Sequence, residues 1–131
     1  MAPETDRYFA GLYRSLKEAK SVPVVSVAIE DWKPIPKFCH ENVDRYTKHQ
    51  PGRSAVRGWL IDGTDGCEGY LLVAHSVVKE DDKLYDITPQ NGAQPGPLKP
   101  RRFIQHPGTK ETYDAWAREP QYSSHWVYPP L

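Results

Sequence analysis

The sequence predicts an α+β domain in which a cysteine-bearing helix packs on an antiparallel sheet. Three features carry this expectation. Apolar residues recur at helical spacing over 5–20 and again over 38–49. Between them and after them run β-branched stretches, VPVVSVAI, SAVRGWLI and LLVAHSVV, and the last two flank a glycine-rich turn. Thirteen prolines, clustered late in the 131 residues, point to ordered irregular chain rather than a helical bundle, with a proline-rich C-terminal wrap around the body.

Length and charge bound the rest. A chain of 131 residues suits one domain, residues 1–131, with a single core. The hydrophobic share of 38% is that of a folding chain, not a disordered one. Seventeen basic residues balance seventeen acidic ones, so no net field draws the protein to nucleic acid or to anionic lipid. The basic run at Lys99, Arg101 and Arg102 reads as a solvated strand end. No apolar run approaches the roughly 20 residues of a membrane span, and MAPETDRYFAG lacks the apolar stretch of a secretory signal. A cytoplasmic location is expected; delivery by a specialised secretion system would leave no such mark. Without an export signal, the two cysteines read as reduced thiols.

Taken in order, residues 5–20 form an amphipathic helix whose Tyr8, Phe9, Leu12, Tyr13 and Leu16 share one broad face. Val22 to Ile29 suits a strand, with Pro23 confined to its start or to an edge. DWKPIPK breaks regular structure, because each proline disfavours the helical region for the residue before it. Residues 38–49 return to helix, with Cys39, Val43 and Tyr46 on one face and Gln50-Pro51-Gly52 as the stop. This places Cys39 in the first turn.

Residues 54–61 and 69–79 read as a hairpin across IDGTDGCEG, which leaves Cys67 exposed in the turn. The period of two puts Leu71, Val73, His75 and Val77 on one face. KEDDK is a second turn, and LYDIT a short strand ended by Pro89, so residues 75 and 86 are expected almost opposite one another. QNGAQPGPLKP is a loop, RRFIQH a returning strand and ETYDAWARE a helix. The tail QYSSHWVYPPL, with Trp126 and Tyr128, is expected to dock on the body.

The order Cys39, His75, Asp86 is what points to chemistry. A thiol becomes a strong nucleophile when its pKa falls, and unpaired N–H groups at a helix start favour the thiolate. An imidazole in hydrogen-bond reach completes the activation, and a carboxylate fixes the imidazole. Cross-strand neighbours stand about 4.5–5.5 Å apart at Cβ, which suits an aspartate holding a histidine. Either the cysteine or the histidine alone would more often be structural; the combination raises the case for catalysis. His40 neighbours the cysteine and Trp59 lies on the adjacent strand, so both are candidates for the substrate-binding wall, although successive helical residues face different ways. No CxxC or HxxxH spacing calls for a metal, and GTDGCEG lacks the strand–GxxxxGK–helix setting of a phosphate loop, so no cofactor is expected.

Over residues 38–89 the chain resembles the papain-like and transglutaminase-like superfamily of thiol enzymes, which includes transglutaminases, NlpC-type cell-wall amidases and arylamine acetyltransferases. The likeness rests on the order and spacing of Cys39, His75 and Asp86. It implies a papain-like core, with Cys39 as nucleophile, His75 as base and Asp86 as orienting group. It further implies a hydrolase, deamidase or acyltransferase working through a thioester on a peptide, protein or small acyl or amide substrate. Papain itself uses a glutamine before the cysteine as an oxyanion donor; Trp32, Lys33 and Lys37 stand in that stretch here. The chain is also similar to a group of small bacterial proteins sharing a CHENV…GW…HSVV…DITP pattern, a likeness that supplies no activity. The competing expectation is a non-catalytic binding module of the same fold, with a pocket lined by Trp59, Tyr70 and the tail aromatics.

Overall fold

A computed structural model describes residues 3–35, 38–48, 50–89, 100–117 and 124–129. Its elements are α1 (Pro3–Arg14), β1 (Lys20–Val22), α2 (Cys39–Lys48), β2 (Arg53–Thr64), β3 (Tyr70–Glu80), β4 (Lys83–Tyr85), β5 (Arg101–Gln105), α3 (Lys110–Ala117) and β6 (Ser124–Val127). The architecture is α+β, with an antiparallel sheet at its centre.

The first helix is shorter than its apolar pattern. It stops at Arg14, and Leu16–Glu18 form a 3₁₀ turn that carries the chain into β1. Leu16 thus keeps its place in the core although the α-helix has ended. The strand expected over 22–29 is likewise reduced to Lys20–Val22. Pro23 has no N–H to offer a neighbouring strand, and regular pairing ends before it.

β2 and β3 form the long hairpin, in register from Arg53 opposite Glu80 to Thr64 opposite Tyr70, with one irregularity between Ile61 and Gly63. The sheet order is β1-β5-β2-β3-β4, and β6 joins the same edge of β3 further along. The ends of this path meet. Val24 bridges Asp86 in parallel; the Val25 N–H donates to the Asp86 carbonyl and the Asp86 N–H to that of Pro23, each at 2.8 Å. The sheet therefore curls into a small barrel. Its interior is one cluster drawn from β1, β2, β3 and β5, namely Val22, Val56, Leu60, Val77 and Phe103, with Leu84 of β4 against it.

The outer surface is covered by helices. Phe9, Leu12 and Leu16 pack with Trp59, Leu72, Ile104, Tyr113 and Val127. Val43 and Tyr46 of α2 pack with Val78 and Ile87. Period-two alternation explains the division: 56, 58 and 60 face inward, while 57, 59 and 61 face the helices. Gly58 is required here, because a Cβ would collide with the Ile104 carbonyl oxygen and with the Phe103 ring.

Three further expectations change. Within LYDIT, Leu84 and Tyr85 pair with β3, and Asp86 lies beyond β4 at the barrel seam. In the β3–β4 register, Val78 faces Tyr85 around a two-residue Asp81-Asp82 turn with both φ positive. That register, extended, would set residue 88 opposite His75, two positions from where the hairpin was centred. In the tail, Val127 is buried by β6, whereas Trp126 and Tyr128 are 43% and 54% exposed. The proline-rich stretch 90–99 and residues 118–123, which carry most of the expected C-terminal wrap, lie outside the described residues. Among the described residues, no helix is long and apolar enough to cross a membrane.

Candidate active site

β3 has two partners on its outer edge, β6 along 70–73 and β4 along 78–80. Neither strand pairs with residues 74–77. The start of α2 lies over this gap. Its first helical hydrogen bond runs from the Asn42 N–H to the Phe38 carbonyl at 2.8 Å. The N–H groups of Cys39, His40 and Glu41 precede that bond and have no acceptor within the helix. Phe38, in the capping position, has no side-chain oxygen to occupy them. The helix thus presents its positive end at the cysteine.

Asn42 anchors this turn from beneath. It is buried, donates to the Ile35 carbonyl (2.8 Å) and to Thr88 Oγ1 (3.1 Å), and accepts from the Ile35 N–H (3.2 Å). One side chain therefore ties the helix to the preceding loop and to the segment carrying Asp86.

The three residues singled out by spacing come together. His75 points to the barrel side of β3, and its Nε2 donates to Asp86 Oδ2 at 2.9 Å. Asp86 is 1% exposed and over-determined: the Thr88 N–H reaches Oδ1 at 3.0 Å and Arg101 Nη2 reaches Oδ2 at 3.4 Å. Arg101, part of the expected surface run, is in this way turned to the site, while Arg102 donates to the Leu16 carbonyl. With Nε2 committed, Nδ1 of His75 is the nitrogen left to serve the sulfur.

The Cys39 thiol contacts the Ala74 carbonyl at 4.0 Å, the outer limit for a sulfur donor. The imidazoles of His40 and His75 also face the sulfur. Burial pushes the thiol up, but hydrogen bonds to His40 and His75 and the charge of the imidazole ring outweigh it and pull the pKa down to about 6. For His75, burial works downward; the hydrogen bond to Asp86 and the neighbouring sulfur overcome it and raise the imidazole to about 9. Between these values the stable form is a thiolate facing an imidazolium.

His40 faces the sulfur, and its Nδ1 lies 2.5 Å from Ser76 Oγ. Successive side chains can converge here because they sit on the first turn, where the sulfur leans over the strand edge and the imidazole drops onto the outer face of β3. Trp59, expected at a substrate wall, is a core residue. It is fully buried, its Nε1 donates to Tyr8 Oη at 2.9 Å, and its ring packs among Phe9, Tyr8 and Tyr113. Its outward parity on β2 puts it under α1, so it has no surface to offer a substrate. Cys67 is free and exposed in the β2–β3 turn.

Several site residues escaped the spacing argument. Ser76 is fully buried behind His40 and receives Arg57 Nη1 at 2.9 Å, and Arg57 Nη2 meets Asp44 Oδ2 at 2.7 Å. A charged residue within AVRGWL, at a position flanked by core residues, was the available signal. The Tyr113 hydroxyl donates to the Gly58 carbonyl (2.7 Å) and accepts from the His75 N–H (3.2 Å), which fixes the backbone under the imidazole. Burial holds that phenol well above its usual range, so it stays a donor. Nothing in the spacing of α3 marks this hydroxyl. Among the described residues no group of three or more His, Cys, Asp or Glu side chains is placed to hold a metal ion.

No family model, curated protein or solved structure matches this chain.

Proposed function

We propose that the protein is a cysteine-dependent enzyme that attacks an amide or acyl carbonyl and passes through a thioester on Cys39. The observation that carries this reading is the buried line from Asp86 through His75 to the sulfur, with the thiol pulled down to about 6 and the imidazole raised to about 9. Structural cysteines buried in apolar surroundings shift the other way.

The steps follow from the groups present. The thiolate attacks the carbonyl carbon, and the C=O electrons move onto oxygen as the S–C bond forms. The N–H groups of the first turn of α2, which have no acceptor within the helix, are the donors offered to the developing oxyanion. The tetrahedral species collapses, the bond to the leaving amine or alcohol breaks, and the imidazolium of His75 gives that group its proton. His75, now neutral, takes a proton from water or an incoming amine, which attacks the thioester carbon. Collapse returns the thiolate and the imidazolium. Asp86 keeps the ring oriented throughout and stabilises its charged form.

The placement of a cysteine at a helix start, packed on a curved antiparallel sheet with histidine and aspartate on successive segments, is similar to the papain-like and transglutaminase-like core. This supports acyl chemistry over other uses of a reactive thiol. A groove of about 370 Å³, lined by Val24, Val27, Pro34, Ile35 and Ile87, borders the segment carrying Asp86 and suits an apolar part of a peptide, protein or small acyl substrate. Hydrolysis, deamidation and transfer share these steps and differ in what resolves the thioester.

The test is direct. The full chain is incubated with p-nitrophenyl acetate and, separately, with glutamine-containing peptides, and the intact mass and released ammonia are followed. An acetyl adduct on Cys39, absent in Cys39→Ser and formed more slowly at neutral pH in His75→Ala, is the expected result. A wild-type chain that acquires no acyl group on Cys39 would sink the reading.

A further inference from the structure

A glutamine before the cysteine, which supplies the second oxyanion donor in papain, is missing from this chain, and the structure offers another group in its place. We propose that the Nε2–H of His40 is the second oxyanion donor, held in that tautomer by Ser76 and Arg57. The proposal rests on the thioester chemistry above and names a residue that the triad does not include.

The tautomer follows from counting protons. Ser76 is fully buried, and its hydroxyl has two neighbours, Arg57 Nη1 at 2.9 Å and His40 Nδ1 at 2.5 Å. A guanidinium only donates, so Ser76 Oγ accepts from Arg57. The single hydroxyl proton then goes to His40 Nδ1, which must be an acceptor. The reverse arrangement would leave a buried O–H with no acceptor. With Nδ1 accepting, the imidazole proton sits on Nε2, the nitrogen left to face the sulfur.

The relay is held on both sides. Arg57 is fixed by the Asp44 carboxylate at 2.7 Å, and Asp44 lies one turn along α2 from His40. The His40 ring stands edge-on to Tyr113, with centroids 5.7 Å apart and an interplanar angle of 80°, which restricts its rotation. Tyr113 is pinned in turn by Gly58 and His75. The charged and titratable groups facing His40 are thus Cys39, Arg57 and Tyr113, with His75 across the sulfur.

A donor placed for the thiolate is also placed for what the thiolate makes. When the S–C bond forms, the negative charge moves from sulfur to the oxygen two bonds away. A reacting carbonyl sits about 3 Å from both the nucleophile and its oxyanion donors. One N–H directed at the sulfur can therefore follow the charge to the oxygen without rearrangement of the ring, and the Cys39 N–H supplies the other hydrogen bond. His75 keeps its separate task of moving the proton.

Two reagents separate this role from simple thiolate binding. Iodoacetamide alkylates sulfur by displacement at a saturated carbon, with no oxyanion. p-Nitrophenyl acetate acylates it through a tetrahedral oxyanion, and its leaving group needs no acid. Both rates are measured on the full-length protein on the high-pH plateau, where Cys39 is fully thiolate, and expressed as the ratio of acylation to alkylation. In His40→Ala the ratio is expected to fall about 100-fold, the loss typical of one oxyanion donor. His40→Gln, which restores an N–H, should recover about a tenth or more of the wild-type ratio, and Ser76→Ala should lose part of it with His40 still present. A role in holding the thiolate or the fold alone would move the two rates together. An unchanged ratio in His40→Ala, with the wild type still acylated, overturns the proposal and leaves the thiol-enzyme reading intact. A wild type that is alkylated but never acylated overturns both. Should His40→Ala unfold, as judged by its melting curve, His40→Gln and Ser76→Ala decide: a normal ratio in both overturns the proposal.

Discussion

Replacing His75 with alanine removes one of the two imidazoles that face the sulfur, and the consequence can be worked through. His40 and His75 both lower the thiol, so the loss of His75 brings it part of the way back, with a return from about 6 to its ordinary 9.0 as the upper bound that the following figures use. At pH 7 the thiolate fraction then drops from about nine-tenths to about one-hundredth. The thiolate that remains is intrinsically stronger, because nucleophilicity rises with pKa at about 0.4–0.5 of a logarithm per unit, or about 20-fold over this span. The two effects nearly offset at neutral pH, where the variant is only about five-fold slower toward iodoacetamide. At pH 5 it is slower by about 45-fold, and at pH 10 it is faster by about 20-fold. The rate profiles therefore cross near pH 8. The assay is alkylation of Cys39 under pseudo-first-order conditions from pH 4.5 to 10.5, with Cys67 replaced by serine so that one thiol reports. A wild-type midpoint near 8.5–9, or a His75→Ala profile that superimposes on the wild type, would refute the thiolate–imidazolium reasoning.

Other perturbations follow from the same geometry. Asp86→Asn removes the carboxylate that holds His75 Nε2, so the His75 titration followed by NMR should move down from about 9 toward 6.5; a midpoint that stays near 9 would show that the aspartate is not what charges the ring. The fold's pH dependence should be flat through the middle range. Cys39 contributes stability that is full above 9.0 and lost as pH falls through about 6, whereas His75 contributes stability that is full below 6.5 and lost as pH rises through about 9. Between about 6.5 and 9 these slopes oppose, so wild-type urea midpoints should hardly change there, while Cys39→Ser should weaken steadily with rising pH; equal slopes in the two proteins would contradict this. Gly58→Ala forces β5 away from β2 and should cost about 3 kcal/mol or more in urea unfolding, and an unchanged midpoint would refute the close packing of Phe103 and Ile104 on that glycine. Tyr113→Phe deletes the hydroxyl between Gly58 and His75 and should cost about 1–3 kcal/mol in urea unfolding, and an unchanged midpoint would contradict the weight given to those two bonds.

Much of this was legible in the chain because local patterns decide it. The β2–β3 hairpin follows from alternation around a glycine-rich turn, and α2 from apolar residues at helical spacing between two breakers. The placement of Cys39 on the first helical turn came from the same reading. Where the reading missed, non-local contacts had decided. Pro23 and the barrel seam cut short a strand whose composition favoured eight residues. Asp86 meets His75 not as a cross-strand neighbour but from beyond β4, where its backbone pairs with Val24. Trp59 was a candidate for the substrate wall by its place on the adjacent strand, and the position of α1 above β2 puts it in the core instead. The Ser76–Arg57–Asp44 line joins residues 13 to 32 apart in sequence through hydrogen bonds that no periodicity encodes.

The seam has a dynamic consequence of its own. It is a single bridge held by two backbone hydrogen bonds, whereas the β2–β3 hairpin is zipped along almost its whole length. Local opening should therefore begin there, with the Val25 and Asp86 amides exchanging hydrogen earlier than those of the hairpin. Each such excursion would pull the carboxylate from the imidazole while the helix bearing the thiol stayed docked. Competence of the triad would then fluctuate with a small breathing motion rather than with global unfolding, and a substitution that tightened the seam without touching Asp86 would slow the exchange and steady the reactivity of the sulfur.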